Sequence, residues 1–171
     1  MIIDVSSILK VSGEKIDIDC ELSLDSAEFM GTCYKFTSPV KVKGSVANNG
    51  KSLFLRAECS GTMQTQCARC LKDIEETFYF PLSEQLIQND DTDVSEDEDV
   101  IVFDGYSFEL DDIVCDNFLM NVNGSYLCKE DCMGLCPSCG KNLNEGDCSC
   151  ENIDIDPRWS TLLDIMKNSE N

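Results

Sequence analysis

A chain of 171 residues with 42% hydrophobic content fits one domain with a small appended module and excludes disorder throughout. Thirty-three acidic against thirteen basic side chains give a net charge of −20, which opposes unassisted contact with nucleic-acid phosphates. Histidine is absent, which removes Cys/His zinc sites, Ser-His and Cys-His nucleophile pairs and any imidazole general base.

Met1 to Val5 carries no basic residue ahead of an apolar run, so no secretory signal is expected. No stretch reaches the roughly 20 apolar residues of a membrane helix, and a cytoplasmic protein is the expectation. Ile16, Ile18, Cys20 and Leu22 alternate with Asp17, Asp19 and Glu21, the period-2 pattern of a strand with one wet face. Val40, Val42 and Val46 alternate with Lys41, Lys43 and Ser45 in the same way, and Asn48-Asn49-Gly50 is a strong turn signal. Leu53, Leu55, Ala57, Cys59 and Met63 then share one face of the next strand, with Arg56 and Glu58 on the other. After Cys67-Ala68-Arg69-Cys70, even spacing of Ile74, Phe78, Phe80 and Leu82 predicts a further strand, completing an antiparallel meander.

Seven of the ten residues from Asp90 to Asp99 are acidic, and self-repulsion with little to bury predicts a solvated loop. Val100 to Phe103 reads as a strand before the Asp104-Gly105 turn, and the apolar spacing predicts a helix from about Leu110 to Met120. Asp156-Pro157 opens a last helix with Trp159, Leu162, Leu163 and Met166 as its apolar stripe. The expected fold class is α+β: an antiparallel sheet with few helices and a C-terminal cysteine-rich zinc-binding module. The antiparallel β region with the Cys67/Cys70 motif covers 1–89 and the acidic loop 90–99. A strand and helix over 100–127 complete the domain, and the zinc-binding module with the C-terminal helix covers 128–171.

Twelve cysteines in a reducing compartment favour metal ligation over disulfides. Cys136-Pro137-Ser138-Cys139-Gly140 has the form of a zinc knuckle: two thiolates separated by two residues reach one tetrahedral ion when the backbone turns tightly. Pro137 presets that turn, and Gly140 permits the positive φ that brings amides toward the sulfurs. Cys148 and Cys150 supply the second pair, so Cys136, Cys139, Cys148 and Cys150 are the first-choice ligands of a structural zinc. Cys132 and Cys128 are the alternates, and two metals sharing all six thiolates is a further arrangement. Cys67 and Cys70 have thioredoxin-like spacing but lie between strands, not at a helix N-terminus that would activate a thiol. An inward-packed hairpin tip and a functional role in partner contact or metal binding stand as its two readings, and Arg69 between the thiols is suited to a phosphate or carboxylate.

Cys67-Ala68-Arg69-Cys70-Leu71, Leu135-Cys136-Pro137-Ser138-Cys139-Gly140, Asn142-Leu143-Asn144, Cys148-Ser149-Cys150 and Asp156-Pro157-Arg158, in this order, resemble the YceD family, the large ribosomal RNA subunit accumulation proteins. The resemblance implies a non-enzymatic protein needed for accumulation of large-subunit (23S) ribosomal RNA, with zinc a feature of a subfamily. The chain departs from the family pattern at Met120 to Tyr126, where relatives carry a proline-containing apolar segment.

Lys35 to Lys72 contains seven cations and the single anion Glu58, so this stretch carries a charge of +6 within a strongly acidic chain. Lys41, Lys43 and Arg56 on its wet face are candidate contacts for phosphate, and intramolecular neutralisation of the acidic remainder is the alternative. The leading expectation is a ribosome-biogenesis factor that binds a ribosomal protein or pre-ribosomal RNA of the large subunit, with no membrane and no small-molecule substrate. A zinc-containing redox or hydrolytic enzyme and a structural adaptor between proteins are the alternatives.

Overall fold

A computed structural model describes residues 1–89 and 100–150. The acidic stretch 90–99 and the expected helix bearing Trp159 lie outside the described residues.

The spine of the fold is a long antiparallel ribbon, β6 (Leu53–Gln66) and β7 (Asp73–Gln88), paired without interruption from Leu53↔Leu86 to Gln66↔Asp73. Alternating apolar residues on β6 put Leu53, Leu55, Ala57, Cys59 and Met63 on the buried face, as the sequence predicts. The other edge of β6 is divided between two neighbours. β5 (Val40–Asn48) pairs with its first half and β4 (Thr32–Phe36) with Met63 and Gln64. β2 (Lys15–Leu22) extends the sheet beyond β5, and β3 (Ser26–Phe29) extends it beyond β4. On the far side, β8 (Ile101–Phe103) joins β7 in parallel, so the meander is antiparallel except at this edge.

Sequence alternation had marked β2, β5, β6 and β7 but not the β3–β4 hairpin. Its turn is Met30-Gly31, both with positive φ (51° and 78°), the geometry that two-residue hairpins favour. β1 (Ile2–Asp4) and β9 (Ser107–Glu109) form a separate two-stranded sheet. β9 runs directly into α1 (Leu110–Asn121), in agreement with the predicted helix. The first turn of α1 carries Asp111 and Asp112, matching the positive end of the helix dipole, and the N-terminal ammonium pairs with Asp111. Its apolar side closes the core through Phe118, whose ring lies 5.0 Å from those of Phe36 and Phe78 and 5.8 Å from Tyr34. None of the described helices is long and apolar enough to cross a membrane.

Close approach of β5 to β6 depends on one glycine. A Cβ at Gly44 would lie 2.0 Å from the Arg56 carbonyl oxygen and 2.4 Å from the Ala57 Cα, both backbone atoms that cannot step aside alone. Gly44→Ala is expected to force the strands apart and cost about 1–3 kcal/mol, the range of an overpacked interior. Urea denaturation reads this directly, and an unchanged midpoint would show that the pair has slack.

Candidate metal centre

The loop at the tip of the β6–β7 ribbon, Cys67 to Lys72, is built like the knuckle read from Cys136 to Lys141. In the first, the Leu71 amide donates to the Cys67 carbonyl at 2.9 Å and the Cys67 amide to the Lys72 carbonyl at 2.9 Å. In the second, the Gly140 amide donates to the Cys136 carbonyl and the Cys136 amide to the Lys141 carbonyl, each at 2.8 Å. The residue after the second cysteine is left-handed in both, Leu71 at φ 58° and Gly140 at φ 73°. A leucine in that region is strained relative to glycine by roughly 1–2 kcal/mol, a cost accepted where the loop must hold both sulfurs on one side.

Each knuckle meets a second pair of cysteines. Cys67 and Cys70 are joined by Cys128 and Cys132, and Cys136 and Cys139 by Cys148 and Cys150, with the four sulfurs of each set within 4.8 Å of one another. Cys67 and Cys132 Sγ are 3.8 Å apart, Cys70 and Cys128 3.6 Å, and Cys136 and Cys148 3.4 Å. Four thiolates at a bond length of about 2.3 Å from a tetrahedral ion lie about 3.8 Å from each other, so both sets have the dimensions of a closed four-sulfur metal site. The first-choice C-terminal ligands therefore come together. The alternates Cys128 and Cys132 join the ribbon tip instead, so the six competing cysteines are divided between two sites.

The two sites differ in surroundings. In the inner one Cys67, Cys70 and Cys132 are buried, packed with Leu127 and Leu135. In the outer one Cys139 and Cys150 are exposed and only Cys136 is buried. Burial pushes the Cys67 thiol up, but amides of Cys128, Cys70 and Arg69 aimed at it bring it down to about 6. Amides of Cys139 and Ser138 likewise hold Cys136 at about 6. Burial and the Cys70 thiol push Cys128 up to about 12, and the hydrogen bond to Cys139 followed by burial does the same for Cys150. Burial pushes the Cys132 thiol up as well, but the Asn144 side chain and the Gly134 amide bring it below its usual value. Each set thus holds some thiols down and pushes others up, as like charges crowd within one coordination sphere. A bound divalent cation offsets that crowding and lets all four sulfurs ionise.

Arg69 is exposed, and its Nη1 donates to the Cys132 carbonyl at 2.9 Å, bracing the inner site. Lys41 lies 4.0 Å from Glu21 and Lys43 lies 3.7 Å from Asp19, opposite one another across the β2–β5 pair. Arg56 sits over the Phe54 ring at 5.9 Å. The strand register places Lys15, Lys41, Lys43 and Arg56 on one exposed face with Asp17, Asp19, Glu21 and Glu58. Four cations meet four carboxylates, and the +6 of the linear stretch is not the charge of a surface.

A family model described as "Large ribosomal RNA subunit accumulation protein YceD" matches residues 55–166, more than half of the chain and a span that holds all eight clustered cysteines. The chain belongs to the YceD family. It is also 25% identical over 161 residues to the uncharacterized protein YlbN of Bacillus subtilis, covering 92% of this chain and 91% of that protein. Uncharacterized proteins of Mycobacterium bovis and Mycobacterium tuberculosis are 32% identical over 104 residues, 59% of this chain and 49% of theirs. The chain spans about half the length of these mycobacterial relatives. No solved structure matches it. The family is described by large ribosomal RNA subunit accumulation, and the two cysteine sets of this chain could each hold a metal ion.

Proposed function

We propose that this YceD protein supports accumulation of large-subunit (23S) ribosomal RNA as a non-enzymatic, cytoplasmic binding factor. Its direct partner is a basic ribosomal protein of the large subunit, and both cysteine sets hold structural zinc. The observation that carries the choice of partner is the neutralised strand face. With Lys41 and Lys43 set against Glu21 and Asp19, the net charge of −20 is left to act on whatever approaches, and it attracts a basic polypeptide while repelling phosphate. Soft thiolates in tetrahedral sets of four suit zinc, and four protein sulfurs fill its coordination with no position open to a substrate. That closure, with the absence of histidine, weighs against the redox or hydrolytic enzyme. A purely structural adaptor differs only in the identity of the partner.

The spacing of the C-terminal cysteines alone calls for one ion, whereas two sets of four sulfurs call for two zinc per chain by elemental analysis of native protein. Tagged protein crosslinked in cells is expected to recover a large-subunit ribosomal protein as its main direct partner. The triple variant Lys41→Gln, Lys43→Gln, Arg56→Gln should keep that association within about twofold of wild type, since Lys41 and Lys43 already face carboxylates and Arg56 lies over the Phe54 ring. Pre-ribosomal RNA becomes the better partner if the triple variant loses binding and the salt dependence falls by about three counterions.

A further inference from the structure

We propose that the two cysteine sites form one metal-loading unit filled in a fixed order, the inner site first and the outer second, with Asn144 as the positioning residue that couples them. The proposal rests on the reading that both sites hold zinc.

Between the sites runs a short strap, Cys132 to Leu135, with the inner knuckle on one side and the outer loop on the other. Toward the inner knuckle, the Leu135 amide donates to the Arg69 carbonyl at 3.1 Å and Arg69 Nη1 donates to the Cys132 carbonyl at 2.9 Å. Gly134 lies so close that a Cβ there would sit 3.1 Å from the Arg69 oxygen. Toward the outer loop, the Leu143 amide donates to the Gly134 carbonyl at 2.9 Å, and Leu135 bridges to Asn142. Asn144 closes the connection. Its Oδ1 accepts the Met133 amide at 3.0 Å, and its Nδ2 donates to the Cys132 sulfur at 3.3 Å and to Asn142 Oδ1 at 2.8 Å. A residue that belongs to the outer loop therefore holds a ligand of the inner site. Outer-shell partners of this kind typically change metal affinity by 10–100-fold.

The order follows from what each site is attached to. Cys67 and Cys70 stand on the ribbon tip, fixed by the sheet before any metal arrives, and an ion there needs only to draw in Cys128 and Cys132. All four outer ligands come from residues 136–150, where Cys136 is the sole buried residue, so that loop has little packing of its own to shape it. Its firm edge is the strap, and the strap is fixed when Cys132 is bound at the inner site. The exposed sulfurs of Cys139 and Cys150 also make the outer ion the one that a competing chelator reaches first. Coupling of this kind is reciprocal: whatever factor the inner ion adds to outer affinity, the outer ion returns.

The test uses full-length protein, stripped and reloaded with zinc, with a chromophoric chelator as competitor and alkylation followed by mass spectrometry to show which cysteines become free. Wild type should release one zinc quickly, freeing Cys136, Cys139, Cys148 and Cys150, and the second slowly, freeing Cys67, Cys70, Cys128 and Cys132. Cys136→Ser should keep one zinc, at the inner site. Asn144→Ala keeps all eight ligands and is expected to weaken the outer site by at least about tenfold. By reciprocity and through the lost bond to Cys132 it should weaken the inner site as well, with the inner ion still the last to leave. Unchanged outer affinity in Asn144→Ala, or simultaneous release of both ions from wild type, overturns the ordered coupling while leaving two structural zinc sites in place. Native protein devoid of zinc would instead remove the zinc reading and this proposal with it.

Discussion

Serine in place of Cys67 is expected to empty the inner site and lower the stability of the whole protein by more than about 4 kcal/mol, in the tail of single-substitution effects where lost metal sites fall. The inner ion would be held by two segments far apart in the chain, the ribbon tip and residues 128–132, so its binding free energy is folding free energy for both. Cys67 is fully buried, and a serine hydroxyl there would be a poor ligand in a place without water. At about 2–4 °C per kcal/mol for a chain of this size, the melting temperature should fall by about 10 °C or more. Cys33→Ser is the control, an exposed cysteine outside both sets, and should stay within about 0.5 kcal/mol of wild type. A thermal melt and zinc content that both match wild type for Cys67→Ser would show that the ribbon tip is only a packed loop.

The second large effect is expected at Phe118. Its ring touches four others, edge-on to Tyr34, Phe36 and Phe78 and tilted at 6.3 Å from Phe80, and it is 1% exposed. Phe118→Ala removes the side chain that seats α1 on the sheet and leaves a cavity between rings that the β4 and β7 backbones hold in place, at a cost of about 3–5 kcal/mol. Met120, two residues on and 84% exposed, supplies the comparison, since Met120→Ala should change stability by less than about 0.5 kcal/mol. Urea unfolding followed by circular dichroism separates the two variants. A Phe118→Ala midpoint equal to that of Met120→Ala would mean that α1 contributes little to the core.

The strands β2, β5, β6 and β7 were legible because one face of each is wet, and alternation of apolar with charged residues is what a half-buried strand imposes on sequence. α1 was legible for the analogous reason at helical period. The β3–β4 hairpin was not, since its strands are only four and five residues long and its turn places Met30, a side chain with no turn preference, at positive φ. Knuckle chemistry at Cys136 to Gly140 was written locally, and its partners Cys148 and Cys150 lay near enough for spacing to bring them into the same set. The inner site could not be read in this way. Cys70 and Cys128 are 58 residues apart, Cys67 and Cys132 are 65 apart, and Leu71 stands where a glycine would have announced the left-handed turn.

Charge shows the same division. The sequence determined the net −20 and the clustering of cations between Lys35 and Lys72. Which carboxylates face those cations depended on β2 pairing with β5 in the register that sets Asp19 opposite Lys43 and Glu21 opposite Lys41. Local pattern fixes the face on which a side chain emerges, because the period of a strand is a property of a few neighbouring residues. Only the pairing of distant strands decides what it emerges beside, and in this protein that decided the neutral face, while the bridge from Cys67 to Tyr126 brought the second cysteine set together.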